Sequence, residues 1–322
     1  MPRPRVLHRR RILLSAALLL AGAPVTRSQE ISESSKPTFS VNVNVVDVFV
    51  SVRDKQGNIV KDLAREDFTL REDGRKQTIK YFSRETGLPL TVGLIVDTTP
   101  SESNMLDEEK TASRVFLDKM LRPGQDRAFL IQFGYQVELL AGLTSSRERL
   151  AKSLDLLQLH TIQPPGSGLG SLMTVLADSI YLASDEIMEK QQGRKAFIVL
   201  GDGFHIGDRM EKAVAAAQRA DSLIYTICIA DKSFGGGSGQ SEWAENLKIL
   251  SRRTGGAFFA VNRKQTLEQI YGKIEEELRS QYSLGYTPDR TAGSAFRKIK
   301  IGVRRRGLVV RGREGYYPRS RP

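Results

Sequence analysis

Three oxygen-bearing side chains stand two residues apart at Asp97, Thr99 and Ser101, directly after the apolar run Leu90–Val96 in "LTVGLIVDTTPSES". One carboxylate and two hydroxyls brought round a turn make half of a hard, all-oxygen shell of the kind that suits Mg2+ or Mn2+. The same residue types serve a turn and a helix N-cap, so this stretch alone leaves both readings open. A second acid, Asp202, ends another apolar run in "KAFIVLGDGF", and Thr174 follows the glycine-rich "GSGLGSLM" at the head of a helical stretch. One ion can be reached from all three segments only in a fold that delivers them to a common rim.

Other chemistries find less support. The single cysteine, Cys228, lies inside "SLIYTICIAD", so no disulfide can form within the chain, and a buried, inert thiol is expected. His8, His160 and His205 are scattered and build no zinc cluster. His205, near Asp202 and Asp208, reads as a rim residue rather than a base. There is no Gly-x-x-x-x-Gly-Lys-Ser/Thr run, and the glycine-rich Gly166–Gly170 and Phe234–Gln240 have no lysine placed to hold phosphate, so they read as surface loops. An enzymatic alternative is Mg2+-dependent phosphoryl transfer with Asp97 as nucleophile. Such sites want a second carboxylate two residues on, where Thr99 stands.

The elements that must position these residues follow from periodicity. From Leu90 onward, apolar strands alternate with amphipathic helices. Strands are expected at Leu90–Val96, Arg127–Phe133, Gln136–Leu140, Lys195–Leu200, Ser222–Ile229 and Ala257–Val261. Helices are expected near 105–121, 146–157, 171–190, 207–220, 241–253 and 264–281. This pattern predicts an α/β fold, a doubly wound, mostly parallel six-stranded sheet, with the tight Phe133–Gln136 link making one antiparallel edge strand. In such sheets ligands bind outside the carboxyl ends of the strands, where Asp97, Thr99 and Ser101 fall.

Before Leu90 and after Gln281 the pattern is β. "FSVNVNVVDVFVSVRD" alternates with period two, a hairpin is expected around Asp73-Gly74, and a second in the basic "FRKIKIGVRRRGLVV". Neither end has strands enough to cover a face alone, so both are expected to complete one small β-sandwich into which the α/β region is inserted. The expected organisation is a signal peptide at 1–28, a linker at 29–38, sandwich strands at 39–86 and 282–317, the α/β domain at 88–281 and a basic tail at 318–322. The arginine-rich start and the apolar stretch from Ile12 to about Ala23 carry the export expectation, to a periplasmic or secreted location with an uncleaved anchor as the variant. No later segment has the roughly 20 apolar residues of a spanning helix.

Removing the six leader arginines lowers the formal charge from +12 to +6, with 43 basic against 37 acidic residues. Much of the remainder sits near the C-terminus, where strand arginines on a wet face are expected. No nucleic acid partner is expected, while peripheral contact with membrane or cell-wall polymer stays open.

The order Asp97-x-Thr99-x-Ser101, then Thr174, then Asp202-Gly203 resembles the von Willebrand factor type A domain, whose metal-ion-dependent adhesion site has Asp-x-Ser-x-Ser, a Thr and an Asp-Gly. Thr174 stands four before Asp178, as in that family's Thr-x-x-x-Asp helix start, and the likeness runs over about Leu90 to Gln281. This chain departs from the pattern at Thr99, which keeps a hydroxyl and adds a methyl, and at Leu172-Met173, where the family commonly has Gly-Gly. The segments "DKQGNIVKDLAREDFTLREDGRKQTIKYFS", "LTSSRERL" and "QYSLGYTP" are similar to the acidobacterial VWFA-related family of predicted exported proteins. The resemblance implies a binding protein, not an enzyme: Mg2+ or Mn2+ held by Asp97, Thr99, Ser101, Thr174 and Asp202, with a position open for a Glu or Asp carboxylate of a protein partner. An alternative is an assembly factor with a degenerate metal site that recruits partners through its terminal β edges. Trp243, Tyr316 and Tyr317 are expected to pack in the core or against edges.

Overall fold

A computed structural model describes residues 45–84, 87–100, 104–160, 175–203, 206, 209–229, 238–289 and 293–318, with 238–241 by backbone alone. These belong to one compact unit, Val43–Pro322. The central sheet has six strands in the order β10-β9-β8-β5-β6-β7. They are β5 (Leu90–Asp97), β6 (Arg127–Phe133), β7 (Val137–Thr144), β8 (Arg194–Gly201), β9 (Ser222–Cys228) and β10 (Phe258–Ala260). All pair in parallel except β7, which runs antiparallel to β6 as the short link requires.

Every residue of β5 is buried, because helices cover both faces of the sheet. Leu90, Val92, Leu94 and Val96 pack with α1 (Leu106–Met120), α2 (Arg147–Asp155) and α6 (Leu267–Arg279). Ile95 points the other way, toward α3 (Val175–Glu186), α4 (Met210–Arg219) and α5 (Ser238–Thr254). Local signals start the helices. Ser146 caps α2 by accepting the Arg149 N–H at 3.1 Å, and Thr266 and Gln269 form a capping box on α6. On α6 the spacing of Leu267, Ile270, Tyr271, Ile274 and Leu278 makes the apolar stripe that it buries. Helix α5 begins at Ser238, earlier than expected, and takes in the end of the glycine-rich run.

The remaining strands are β1 (Val46–Arg53), β2 (Phe68–Glu72), β3 (Arg75–Gln77), β4 (Tyr81–Arg84), β11 (Tyr282–Tyr286), β12 (Arg297–Val303), β13 (Val309–Arg311) and β14 (Gly315–Tyr316). They form two four-stranded sheets, β13-β1-β11-β4 and β14-β12-β2-β3, each drawn from both ends of the chain. Val48, Val50, Val52, Leu70, Tyr282, Leu284, Tyr286 and Ile299 make their shared core. The β2–β3 turn has φ of 48° at Asp73 and 80° at Gly74, the positive pair that a tight hairpin turn needs.

The expected C-terminal hairpin is not formed. Strand β12 pairs with β2 and β14, whereas β13 pairs with β1 in the other sheet. Alternation in "KIKIGV" and "LVV" marks a buried face but not a hydrogen-bonding neighbour. Ile301 and Val310 meet the same core from opposite sheets. Among the described residues, no helix is long and apolar enough to cross a membrane.

Candidate metal site

Strands β5 and β8 are neighbours in parallel register, with Val96 opposite Leu200, so Asp97 is level with Gly201 and Asp202 follows directly past the strand end. Adjacent strands lie about 4.8 Å apart, so the backbones that carry the two acids leave the sheet side by side. Space explains the glycine before Asp202. A Cβ on Gly201 would lie 2.9 Å from Asp97 Cβ and 3.0 Å from its Oδ2, so only glycine leaves the Asp97 carboxylate its place. The glycine after Asp202 answers a second close approach: Gly203 has φ of 88°, and a Cβ there would lie 2.5 Å from the Trp243 carbonyl oxygen on α5. The two glycines thus let the backbone on either side of Asp202 pass close to Asp97 of β5 and to α5.

Asp97 is 1% exposed and Thr99 5%. Asp97 Oδ1 accepts the Thr99 backbone N–H at 2.9 Å and the Thr99 hydroxyl at 2.7 Å. This turn fixes the carboxylate and spends the hydroxyl hydrogen on it, so Thr99 Oγ1 can meet a cation only through its lone pairs. The intervening Thr98 ties the turn to β6. Its N–H and hydroxyl both reach the Phe133 carbonyl, at 2.8 and 3.0 Å.

His160 was not singled out for any role by its sequence position, yet it anchors this rim. Its N–H donates to the Thr98 carbonyl at 2.8 Å, and its Nδ1 lies 2.7 Å from Thr98 Oγ1. The ring lies against Gly134, where a Cβ would come within 2.7 Å. His160 therefore fixes to the rim the chain that leads into residues 161–174.

Ser101 and Thr174 lie outside the described residues, as do His205, Asp208 and the glycine runs 166–170 and 234–237. Helix α3 is described from Val175, with Val175 and Leu176 buried. Its Asp178 accepts two bonds from Arg209, at 2.7 and 2.8 Å, which link the starts of α3 and α4. Cys228 is buried and forms no disulfide. Tyr316 is buried with its hydroxyl donating to Glu72 at 3.0 Å, and Tyr317 packs on Phe296 with ring centroids 5.2 Å apart.

A second acid near Asp97 escaped the sequence reading. Glu109, in the first turn of α1, is 1% exposed, and neither of its carboxylate oxygens has a hydrogen-bond partner. Burial, and then the charge of Asp97, hold its carboxyl well above the usual carboxylate range. It shares a helix face with Ala112, Ser113 and Phe116, so an acid inside an apolar stripe was the available signal. Asp107 and Glu108 masked it, since acids are commonplace in a first helical turn. Among the described residues, no three His, Cys, Asp or Glu side chains converge to hold a metal. An ion at this rim would need hydroxyl ligands besides the two aspartates.

A mostly parallel six-stranded sheet with helices on both faces defines a doubly wound α/β domain, in which the carboxyl ends of the central strands are the usual place for a ligand. The family model of the von Willebrand factor type A domain matches residues 92–273. The chain belongs to that family. Among solved structures, the conserved hypothetical protein BatB from Bacteroides thetaiotaomicron is 19% identical, over 60% of this chain and 100% of that one, with a TM-score of 0.44. A von Willebrand factor type A protein from Catenulispora acidiphila is 10% identical, over 87% of this chain and 75% of that one, with a TM-score of 0.47. The vWF domain of the type V pili tip protein Mfa5 from Porphyromonas gingivalis is 12% identical, over 60% and 94%, with a TM-score of 0.43. No curated protein matches the chain.

Proposed function

We propose that this chain is an exported binding protein that joins a protein partner through Mg2+ or Mn2+ at the rim formed by Asp97, Thr99 and Asp202, with Ser101 and Thr174 completing the donor set. The observation that carries this reading is the placement of Asp97: Thr99 orients it, Gly201 makes room for it, and Asp202 follows on the next strand. These are hard oxygen donors, and only two carry charge, which suits a small divalent ion without fully neutralising it. When bound, the ion supplies an open coordination position that favours a Glu or Asp carboxylate from the partner. Within the chain, the Thr99 N–H and hydroxyl hold Asp97 Oδ1 in place, so the carboxylate is oriented before any ion arrives.

Calorimetric titration with Mn2+ tests the proposal on the wild type, Asp97→Ala and Asp202→Ala. The wild type is expected to bind one ion per chain, and both variants to lose binding while keeping their circular dichroism. Wild-type affinity in both variants would remove the proposal.

A further inference from the structure

The outward face of the β14-β12-β2-β3 sheet repeats a single charge. Its register sets Lys300 of β12 directly opposite Arg71 of β2, and Arg71 directly opposite Lys76 of β3. All three are exposed, as is Lys298, two residues before Lys300 on the same face. The inward residues of the same strands, Leu70 and Ile299, are in the core. Side chains opposite one another on a sheet have Cβ atoms about 5 Å apart, a spacing at which like charges destabilise the pair.

One acid, Asp73, stands at the end of this row, bonded to backbone rather than paired with a cation. None of the four cations forms an ion pair among the described residues. Asp73, at the β2–β3 turn, gives Oδ1 to the backbone N–H of Lys298 at 2.9 Å, and the Arg71 guanidinium reaches the Gly74 carbonyl at 3.0 Å. Charge is also uneven along the chain: 39–86 and 282–317 hold 18 basic residues against 10 acidic, while 88–281 holds 22 against 25. The basic excess thus belongs to the terminal β strands.

Protection against edge-to-edge pairing explains a lysine on an edge strand, which accounts for Lys76 on β3. It does not explain Arg71, because β2 is paired on both sides at that residue, with Lys300 of β12 and Lys76 of β3. An interior cation held between two others at a cost in stability calls for a ligand. We propose that this face docks the protein on an anionic lipid bilayer. The array extends both across the strands and along β12, so it matches a charged plane. At its margin Phe296 is 38% exposed and lies over Gly315, where a Cβ would come within 2.4 Å of the ring. Phe296, packed on Tyr317 at one margin of the cationic plane, suits the headgroup region, whereas a polymer of bases or sugars would want stacking platforms repeated along the row.

The full chain is mixed with vesicles of one-third phosphatidylglycerol in phosphatidylcholine, or of phosphatidylcholine alone, and sedimented. The variant is Lys300→Glu with Lys76→Glu, which places Arg71 between two acids and so should fold at least as stably as the wild type. Leader arginines are common to both proteins, so their difference reads the sheet face. Each cation near an acidic membrane is worth about fivefold in binding, so the double variant should bind acidic vesicles at least about 25-fold more weakly. Lys300→Gln with Lys76→Gln should fall between, and high salt should release the wild type. Wild-type binding by the double variant, or equal wild-type binding to both vesicles, would overturn the proposal. So would retention by soluble polygalacturonate with no vesicle binding, which would point to an anionic polymer instead.

Discussion

Glu109 carries the residue-scale consequence of the rim. An acid whose pKa is raised by folding stays protonated in the native state at a pH where the unfolded chain has already ionised. The unfolded state then binds fewer protons, and native stability falls as pH rises from the ordinary value of 4.5 toward the raised one. Glu109→Gln keeps the shape and removes the titration. Its stability in urea should match the wild type's near pH 4 and exceed it progressively through pH 6 and 8, by about 1.4 kcal/mol for each unit of the shift. Parallel stability curves at all three pH values would mean that Glu109 is not raised. Asp97 and Asp202 were legible in the sequence because each ends a continuous apolar run, which is what a strand buried on both faces looks like. Glu109 and His160 were not. The first is hidden among helix-start acids, and the second acts through Thr98 and Gly134, contacts that only the tertiary fold creates.

At the scale of elements, the opposite end of β5 is set by another acid. Asp126, its side chain fully buried, accepts the backbone N–H of Leu90 at 2.9 Å, the N–H of Arg122 at 2.8 Å, and the guanidinium of Arg279 at 2.5 Å. It therefore ties together the end of α1, the start of β5 and the end of α6. Burial alone would raise its pKa, but the hydrogen bonds from Arg122 and Arg279 outweigh that and bring it down to about 2. A depressed carboxylate contributes stability above its unfolded value of 3.8 and loses it as pH falls toward 2. Asp126→Asn should cost about 2–3 kcal/mol at pH 7, with the gap to wild type closing between pH 4 and pH 2 in denaturant titrations. A gap unchanged by pH would mean the loss is one of packing rather than charge. The parallel strands of the central sheet were readable to within a residue, because burial on both faces writes itself as an unbroken apolar run, whereas the half-exposed edge strand β7 runs to Thr144, four residues past its expected end. The pairing of β12 and β13 was not readable. Period-two alternation reports which face is inside, and the choice of neighbour is made by the rest of the sandwich.

At the scale of the molecule, the α/β sheet and the terminal β sheets meet at one buried carboxylate. Glu277 of α6 accepts Ser51 Oγ at 2.9 Å and Arg53 Nη2 at 2.7 Å from β1, Arg311 Nη1 at 3.1 Å from β13, and Tyr225 Oη at 3.2 Å from β9. Its side chain is fully buried and that of Arg53 is 10% exposed. Glu277, β1 and β13 all lie outside the matched residues 92–273, so the family pattern does not account for this junction. Its effect is mechanical: a partner held at the Asp97 rim and a bilayer held at the Lys300 face would be joined through it. Removing one member of a buried ion pair strands the other, at about 3–5 kcal/mol. Glu277→Ala should therefore turn a single calorimetric unfolding transition into a lower and divided one, in which the terminal β sheets melt before the central sheet. Glu277→Gln, which keeps one acceptor oxygen and no charge, should fall between. An undivided transition in Glu277→Ala, within about 1 kcal/mol of wild type, would show that apolar packing alone couples the two parts and that Glu277 only fills its site.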